Sequence, residues 1–329
     1  MNKNFLKNKT ILITGGTGSF GKKFLEIVLK KYKNIKKIII FSRDEFKQHE
    51  LAKKYSEKKY PNVRFLLGDV RDKDRLFLAL ENVDYVIHAA ALKQVPTAEY
   101  NPFEFIKTNI IGANNLIEAC ILQRVKKVIA LSTDKAAAPI NLYGATKLCS
   151  DKLFVSANNI VGNKNISFSV VRYGNVMNSR GSVIPIFKHD KKNGTLKITD
   201  KRMTRFNITL EKGVEFVLYA LEHSIGQEIF VPKLKSYNIL DLAKAVSSNA
   251  KIKITGIREG EKIHEEMITK SDSYNTIESK GYYIILPSYI QNKQKYIKKF
   301  KSRTVQNPFS YNSKDNSEKL KISDLKKII

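Results

Sequence analysis

Short apolar runs alternate with amphipathic stretches along the first half of the chain. Apolar runs bounded by turn residues are typical of strands buried on both faces of a parallel sheet, and apolar positions three or four apart are typical of helices. The predicted strands are Thr10 to Thr14, Lys37 to Phe41, Val63 to Leu67, Tyr85 to His88, Val128 to Ser132 and Phe168 to Tyr173, with helices at Phe20 to Leu29 and Phe103 to Leu122. The alternation predicts an α/β fold with a Rossmann-type, doubly wound parallel sheet.

Past Asn175 the predicted elements become shorter, which indicates a second, smaller lobe. They are a helix at Lys212 to Leu221, a strand at Glu228 to Val231 and a helix at Ile239 to Val246. We predict a sheet domain over residues 1–175, a C-terminal lobe over residues 176–288 with some segments returning to the main sheet, and a lysine-rich tail over residues 289–329. The tail is rich in Lys, Asn and Ser, so we expect it to be extended or loosely docked.

The charge balance is strongly basic. The chain of 329 residues carries 59 Lys and Arg against 31 Asp and Glu, a net charge of +28, which is typical of nucleic-acid-binding proteins. Lysine supplies most of this charge and is scattered, without the aromatic and basic interleaving that stacks bases. We therefore predict a solvated lysine surface and no specific nucleic-acid binding. Its field would speed the capture of an anionic small-molecule substrate.

No segment of the sequence has the pattern of a membrane span or a secretion signal. The longest apolar runs, such as Ile38 to Phe41, are far shorter than the roughly 18 residues that a span needs. The basic first residues are not followed by an apolar segment with a cleavage site. Cys120 and Cys149 lie in stretches of helical periodicity and have no metal-type spacing. We expect a cytoplasmic protein with no membrane association, buried structural thiols and no metal.

A glycine-rich segment follows the first predicted strand and opens the first predicted helix. Gly15, Gly18 and Gly21 have the spacing of a dinucleotide-binding turn. The first glycine permits a tight turn, the second lets the pyrophosphate approach, and the third lets the helix pack closely on the strand. Backbone amides and the helix dipole then hold the phosphates. Because of this context, we favour a nucleotide site over an ordinary turn.

The end of the second predicted strand distinguishes NADP from NAD. An acidic residue at this place binds the ribose hydroxyls of NAD, whereas this strand ends in Ser42 and Arg43, with Lys47 one helical turn later. A hydroxyl and two cations suit a 2′-phosphate through charge-assisted hydrogen bonds. The acidic residue Asp44 follows directly, so NAD remains an alternative cofactor, but we predict NADP. The first domain is therefore expected to bind NADP.

Positions after the next strands complete the predicted cofactor site. Asp69 and Val70 are placed to meet the adenine, and the small Ala89 lets the cofactor lie against the backbone. The whole predicted set is Gly15, Thr17, Gly18, Ser19, Phe20, Gly21, Ser42, Arg43, Asp44, Lys47, Asp69, Val70, Ala89, Lys93, Leu131, Ser132, Tyr143 and Lys147.

Tyr143 and Lys147 are four residues apart in a stretch with helical character, so they share one helix face. An ammonium near a phenol favours the phenolate, which lets tyrosine act as a base nearer neutral pH than its ordinary pKa of about 10. Together with the glycine pattern and Thr133, this pair resembles the extended short-chain dehydrogenase/reductase family, whose members act largely on nucleotide sugars. The resemblance implies that Thr133 hydrogen-bonds a substrate hydroxyl.

Asp134 and Lys135 directly follow Thr133 and point to elimination. Oxidation at carbon 4 of a sugar acidifies the carbon-5 proton, which a base must remove while an acid protonates the hydroxyl leaving carbon 6. Lys135, held neutral, is our candidate base, and Asp134, held protonated, is our candidate acid. An epimerase or simple dehydrogenase of this family needs neither group here, but a dehydratase does. The predicted catalytic residues are Thr133, Asp134, Lys135, Tyr143 and Lys147.

Further runs extend the resemblance over most of the chain, to the family of inverting UDP-N-acetylglucosamine 4,6-dehydratases that open pseudaminic acid synthesis for flagellin and surface glycans. These runs are Ser42 to Glu45, His88 to Lys93, Ala98 to Pro102, Val171 to Val176, Arg202 to Phe206 and Gly260 to Glu265. The resemblance implies NADP held through turnover, a UDP-sugar substrate, a product inverted at carbon 5 and a dimer-based homo-oligomer or hexamer. It also implies a substrate pocket formed by Lys93, Asn175, Val183, Thr199, Arg258 and Glu261.

Other functions stay open at this point. Among enzymes, the alternative is another nucleotide-sugar dehydratase, or a 4-epimerase, for capsule or lipopolysaccharide sugars. A cofactor-sensing binding protein would keep the fold without the chemistry, but the presence of Tyr143 and Lys135 disfavours it. Membrane-anchored retaining dehydratases usually carry methionine in place of the tyrosine, so Tyr143 favours the inverting branch.

Overall fold

The computed structural model describes residue 2 and residues 4–177, 183–305 and 308–329. The chain splits into two compact units that interleave along the sequence. The first consists of Met1–Ser132, Thr146–Val171 and Val214–Phe230, and the second of Thr133–Ala145, Arg172–Gly213 and Val231–Ile329. Each unit is therefore assembled from three chain segments, and the domain limits at residues 175 and 288 stay a prediction.

Strands and helices alternate up to residue 173, and shorter elements follow. The first set is β1 (Thr10–Thr14), α1 (Ser19–Lys31), β2 (Lys37–Ser42), α2 (Glu45–Lys54), β3 (Val63–Leu67), α3 (Lys73–Ala79), β4 (Tyr85–His88), α4 (Val95–Tyr100), α5 (Pro102–Ile106), α6 (Gly112–Leu122), β5 (Lys127–Thr133), α7 (Leu142–Ser156) and β6 (Ser167–Tyr173). The second set is α8 (Val183–Asp190), β7 (Thr195–Ile198), β8 (Thr204–Phe206), α9 (Leu210–His223), β9 (Ile229–Pro232), β10 (Ser236–Asn238), α10 (Ile239–Val246), β11 (Lys251–Ile254), β12 (Glu266–Ile268), α11 (Lys270–Ser273), β13 (Thr276–Glu278), β14 (Tyr282–Ile285), α12 (Lys293–Phe300), β15 (Arg303–Thr304), β16 (Tyr311–Asn312) and α13 (Ile322–Ile328).

The first unit is built on a parallel sheet with the strand order β3-β2-β1-β4-β5-β6-β9. The pairs β1–β2, β1–β4, β2–β3, β4–β5 and β6–β9 are parallel. Ile11, Leu12, Ile13, Val86 and Ile87 are fully buried, as expected for central strands covered on both faces. The winding reverses between β1 and β4, so their carboxyl ends flank a topological switch point, where such sheets bind ligands. The predicted fold class is confirmed.

The helix predicted from Phe103 to Leu122 is interrupted. A turn of π-helix, Lys107–Ile111, joins α5 to α6. Within it, Asn109 Nδ2 donates to the carbonyl of Leu92 at 2.9 Å and to Thr146 Oγ1 at 3.0 Å. The wide π turn therefore presents a buried amide that fixes the loop after β4.

The C-terminal tail is folded, so the expectation of an extended or loosely docked segment is wrong. Leu320 and Leu325 belong to the buried apolar cluster of the second unit, and the Leu325 side chain is 0% exposed. α13 packs against α10, which supplies Leu242 to the same cluster. The short apolar patch at the end of the sequence thus packs into the core of the second unit. The burial of these apolar side chains holds the tail in place although most of its residues are polar.

A buried carboxylate closes the turn between α9 and β9. Glu228 Oε2 accepts hydrogen bonds from Ser169 Oγ at 2.6 Å and the Gly226 amide at 2.9 Å, and Oε1 accepts one from the Ile225 amide at 2.7 Å. Gly226 has a φ of 105°, a backbone conformation that favours glycine. Burial raises the pKa of Glu228 to about 7, although the hydrogen bonds oppose this.

The two cysteines differ in their surroundings. Cys120 is buried in α6, and burial raises the pKa of its thiol. Cys149 is exposed, because Lys147, Ser150 and Asp151 occupy the buried face of α7. The prediction of a buried thiol is therefore wrong for Cys149.

Two further findings concern only the part of the chain that the structure describes. No helix there has the length and apolar character needed to cross a membrane. In the same residues, no three or more His, Cys, Asp and Glu side chains are grouped so that they could hold a metal ion.

Candidate active site

The glycine-rich turn between β1 and α1 has the shape of a phosphate cradle. Gly15 has a φ of 65°, and a Cβ added to it would lie 2.9 Å from the carbonyl oxygen of Ala89 and from the backbone of Ala90. Only glycine fits where this turn meets the end of β4. Gly18 precedes α1 and carries no side chain to cap it, and a Cβ on Gly21 would collide with the preceding turn. The turn and the first amides of α1 therefore fit a dinucleotide pyrophosphate.

The end of β2 carries both cations and a carboxylate. Asp44 caps α2, because its Oδ1 accepts a hydrogen bond from the Lys47 amide at 2.9 Å and its other oxygen pairs with the Lys47 ammonium. Arg43 is half-exposed, with Nη1 3.5 Å from Asp69 Oδ2. Ser42, the last residue of β2, is buried. The acidic side chain is thus engaged by its own helix, while the guanidinium of Arg43 reaches solvent.

The other predicted adenine-side positions lie directly after β3. Arg71 donates to Asp69 Oδ2 from Nε at 2.9 Å and from Nη2 at 2.7 Å. Burial raises the pKa of Asp69, but the hydrogen bonds and charge of Arg71, with the charge of Arg43, outweigh it and lower the pKa. Val70 is buried, against the beginning of α6. Asp69 is therefore a fixed anion beside the exposed guanidinium of Arg43.

Helix α7 carries both members of the Tyr–Lys pair, one turn apart. Lys147 is buried, and burial lowers its pKa while the charge of Asp151 raises it. Ser132 Oγ donates to Asp151 Oδ2 at 2.7 Å. Asp151 thus links the end of β5 to Lys147, a connection that sequence reasoning missed. The signal for it is the spacing of four residues from Lys147 to Asp151 on the same helix.

Asp134 and Lys135 lie in a short turn directly after β5, and Thr133, the last residue of β5, caps that turn. Thr133 Oγ1 donates to Asp134 Oδ1 at 2.9 Å, and Lys135 Nζ donates to the same oxygen at 3.1 Å. Asp134 is 0% exposed, and among the described residues its Oδ2 has no hydrogen-bond partner. A carboxylate with a free buried oxygen is poorly solvated, which favours its protonated form.

Two residues without a predicted role complete this cluster. Lys135 Nζ also donates to Glu265 Oε1 at 3.2 Å and to Asn175 Oδ1 at 3.3 Å. Arg205 Nε lies 3.5 Å from the same oxygen of Glu265. Glu265 and Arg205 stand in runs that carry the family resemblance, but the 130 residues between Lys135 and Glu265 leave no spacing signal. Only the fold brings them together.

The electrostatics of the cluster act on Asp134 in the direction of the predicted charge state and on Lys135 against it. Burial and the charge of Glu265 raise the pKa of Asp134, against Lys135 and Thr133, so this carboxylate accepts a proton more readily than an ordinary one. Burial lowers the pKa of Lys135, but the charges of Asp134 and Glu265 outweigh it and raise the pKa above its ordinary value. Lys135 therefore rests as an ammonium, and not as the neutral amine that the sequence hypothesis assumed.

The turn that holds Asp134 is tied to a distant loop of the same unit. Asn141 Oδ1 accepts a hydrogen bond from the Gly144 amide at 2.8 Å, and its Nδ2 donates to the carbonyl of Gly260 at 2.7 Å. Lys262 Nζ donates to the carbonyl of Ala137 at 2.6 Å. The stretch from residue 134 to residue 145 is thus braced by residues 260 and 262.

The predicted substrate residues are spread over several elements. Arg258 Nη2 pairs with Glu261 Oε1 at 2.9 Å, and its side chain is 68% exposed. Thr199 donates from its hydroxyl to the sulfur of Met203 at 3.0 Å, and Val183 is the first residue of α8. Asn175 contacts the Asp134 cluster through the hydrogen bond from Lys135 given above, and Glu261 Oε1 lies 3.6 Å from Arg205 Nη2 in the same cluster. A shared substrate pocket for these residues stays a prediction, as does the role of Lys93, an exposed residue between β4 and α4.

A doubly wound parallel sheet, a glycine turn at its switch point, and a Thr–Asp–Lys turn followed by a Tyr–Lys helix define a protein of the extended short-chain dehydrogenase/reductase type. The chain belongs to the family described as polysaccharide biosynthesis protein, which matches residues 11–287.

Individual relatives narrow this assignment. The chain is 55% identical over 320 residues to a Campylobacter jejuni subsp. jejuni serotype O:2 protein named UDP-N-acetylglucosamine 4,6-dehydratase (inverting), covering 94% of this chain and 93% of the relative. It is 46% identical over 285 residues to a Rickettsia akari protein named UDP-glucose 4-epimerase, covering 84% and 83%. The X-ray structure of Pen from Bacillus thuringiensis matches with a TM-score of 0.89 and 37% identity over 98% of each chain. The resemblance to inverting dehydratases is confirmed.

Proposed function

We propose that this chain is a UDP-N-acetylglucosamine 4,6-dehydratase that inverts carbon 5 and forms UDP-2-acetamido-2,6-dideoxy-β-L-arabino-hex-4-ulose, the first step of pseudaminic acid synthesis. The observation that carries the proposal is the buried Asp134 joined to Lys135 by a 3.1 Å hydrogen bond. Elimination needs an acid and a base beside the redox residues, and 4-epimerisation does not. The relative at 55% identity supports the substrate and the stereochemistry. The relative named as an epimerase, at 46% identity, makes epimerisation the rival.

NADP is the proposed cofactor. The turn at Gly15 and the uncapped α1 fit a pyrophosphate, and the half-exposed Arg43 offers positive charge to a 2′-phosphate, with Lys47 nearby in its pair with Asp44. Asp44 is engaged as the cap of α2, which weakens its case as a ligand for the ribose hydroxyls of NAD. When bound, the nicotinamide supplies the hydride acceptor for carbon 4 and the hydride donor for carbon 6.

The redox residues are proposed to handle the hydroxyl on carbon 4. Tyr143 Oη takes the proton of that hydroxyl, and the Thr133 hydroxyl hydrogen-bonds to it. Lys147 favours the phenolate of Tyr143, and Asp151 supports this role because its charge opposes the lowering of the Lys147 pKa by burial.

Lys135 and Asp134 are proposed to exchange one proton before elimination. Transfer from Lys135 Nζ to Asp134 Oδ1, along the 3.1 Å hydrogen bond, leaves a neutral amine and a protonated carboxyl without changing the total charge. The amine then removes the carbon-5 proton, and the carboxyl protonates the hydroxyl that leaves carbon 6 as water. The ammonium and carboxylate of the resting pair are thereby restored. The return of hydride to carbon 6 is accompanied by protonation of carbon 5 from solvent on the opposite face, and Tyr143 releases to solvent the proton that it took from the carbon-4 hydroxyl. The ammonium at rest is thus compatible with a basic role for Lys135.

Incubation of the purified chain with UDP-N-acetylglucosamine in heavy water tests the proposal. Mass spectrometry should show that the product has lost one water. Proton NMR should show that carbon 5 is inverted and carries one deuterium taken from the solvent. A product of unchanged composition would support epimerisation, and no conversion would support a cofactor-sensing protein. Lys135→Ala should abolish carbon-5 exchange with the cofactor still bound, whereas Lys253→Ala, on the exposed part of β11, should behave as wild type.

A further inference from the structure

Glu265 is a buried carboxylate with a fixed backbone. Its amide donates to Ser313 Oγ at 2.9 Å, and its carbonyl accepts from the Ser313 amide at 2.8 Å. Its Oε1 accepts from Lys135 Nζ at 3.2 Å and lies 3.5 Å from Arg205 Nε. Within the described residues its Oε2 has no hydrogen-bond partner. One oxygen of Glu265 therefore faces two cations at once.

Arg205 is held rigidly beside this carboxylate. Its Nη1 donates to the carbonyl of Thr204 at 2.8 Å and to that of Ile263 at 3.0 Å, and the residue is buried. Burial alone would raise the pKa of Glu265, but the charges of Lys135 and Arg205 outweigh it and lower the pKa. Glu265 is therefore a permanent anion next to the proton-carrying pair.

Charged and titratable groups of the second unit interact electrostatically with Glu265. They are Asp134, Lys135, Arg205, Tyr237 and Lys262. Among them, Asp134 and Lys135 both gain affinity for a proton from the negative charge of Glu265. Arg205 acts on Lys135 in the opposite direction. The carboxylate thus favours a protonated acid at Asp134 without carrying that proton itself.

We propose that Glu265 is a positioning residue for dehydration, which holds Lys135 within reach of Asp134 and sets the pH range in which this pair exchanges its proton. This inference rests on the proposed function and deepens it. A 4-epimerase has no use for such a control, because it neither eliminates water nor needs an acid at Asp134. The role follows from charge and distance, so it makes a prediction of defined sign.

The test is the pH dependence of kcat for Glu265→Gln, which keeps the shape of the side chain and removes its charge. Without that charge, both Asp134 and Lys135 release protons at lower pH. The acidic and alkaline sides of the profile should both move to lower pH by about one unit, as expected for a charge within hydrogen-bonding distance. At a fixed pH on the alkaline side of the profile, a shift of one unit lowers kcat about tenfold relative to the wild type. A lower kcat with an unmoved profile would reduce Glu265 to a structural residue and overturn the inference.

Matched variants separate charge from packing. Glu265→Asp keeps the charge, so it should restore the wild-type profile even if kcat is lower. Glu266→Gln removes the neighbouring carboxylate, which accepts from Ser310 Oγ at 2.5 Å, and should leave the profile unmoved. If Glu265→Gln does not fold, Arg205→Gln is the second test. It should move the alkaline side to higher pH, because Arg205 lowers the pKa of Lys135, whose proton is lost on that side, and an unmoved alkaline side would contradict the inference.

A second measurement does not need the substrate. Acetic anhydride acetylates only neutral amines, and peptide mass spectrometry can compare Lys135 with the exposed Lys253. At pH 9, Glu265→Gln should raise the relative acetylation rate of Lys135 about tenfold. If the wild type fails to dehydrate UDP-N-acetylglucosamine but this rate rises, the proposed function fails and the charge control by Glu265 stands. If it dehydrates the sugar and neither readout changes, the inference fails and the proposed function stands.

Discussion

Glu228 makes the stability of the first unit depend on pH, and Glu228→Gln should remove that dependence. Burial raises the pKa of this side chain from the ordinary value of 4.5 to about 7. At low pH, both the folded and the unfolded chain carry the proton. As pH rises through the value of the unfolded chain, the unfolded chain releases the proton and the folded chain keeps it, so the free energy of unfolding falls. The fall is complete once pH exceeds the folded pKa of about 7.

The two pKa values give the size of the effect. At about 1.4 kcal/mol per pH unit, their difference corresponds to about 3 kcal/mol of unfolding free energy. Glutamine also places an N–H where Glu228 Oε2 accepts from Ser169 and Gly226, or where Oε1 accepts from Ile225. An unpaired buried donor adds a penalty of about 1–3 kcal/mol that is independent of pH. The signature is therefore a difference between wild type and variant that changes by about 2.5 kcal/mol between pH 5 and pH 8.

Urea unfolding at four pH values, followed by hydrogen exchange of the peptides from α9 to β9, measures this difference locally. The wild type should lose its advantage over Glu228→Gln as pH rises. Glu215→Gln, which replaces an exposed glutamate of α9, should track the wild type throughout. A constant gap between wild type and Glu228→Gln would show that the hydrogen bonds to Glu228 outweigh its burial, and that the carboxylate is already ionised at pH 5.

Two further variants test the cofactor and the tail. Arg43→Ala should weaken NADP binding at least about tenfold and leave NAD binding nearly unchanged, since only NADP offers a phosphate to the guanidinium. Calorimetric titration with both cofactors checks this, and an equal loss for both would remove the argument for NADP. Leu325→Ala should destabilise the second unit by about 2–5 kcal/mol, because the side chain is fully buried, and the exposed Lys326→Ala by less than about 0.5 kcal/mol. Denaturant unfolding measures both, and equal stability of the two variants would mean that the tail does not support the core.

The buried strands were predictable because each is a short run of apolar residues in the sequence. β1, β3 and β4 have the predicted bounds. The helix α10 also has its predicted bounds, because its apolar residues and its buried face coincide. The break at Lys107–Ile111 was not predictable. This break in the helix accompanies hydrogen bonds from the Asn109 side chain to Leu92 and Thr146, which lie 17 and 37 residues away in the sequence. The periodicity of apolar residues within a helix does not reveal hydrogen-bond partners that are distant in the sequence.

In the candidate site, too, some residues were predictable from local sequence and others only from the fold. Residues 133 to 135 and the Tyr–Lys pair stand out because the chemistry needs them within one turn or one helix. The role of Glu265 depends on a contact across 130 residues, which no spacing reveals. The charge of Lys135 was also beyond the sequence, because burial and two carboxylates act on it in opposite directions and their balance depends on distances in the fold.

The bonds from Asn141 to Gly260 and from Lys262 to Ala137 have a consequence for engineering. A chimaera that imports the loop around residue 260 from a relative would also shift the turn that carries Asp134 and Lys135. Under the proposed function, sugar preference and turnover would then change together. Redesign for new sugars should therefore keep positions 260 and 262 and vary the solvent-facing Arg258 and Glu259, which leaves the turn of Asp134 and Lys135 in place.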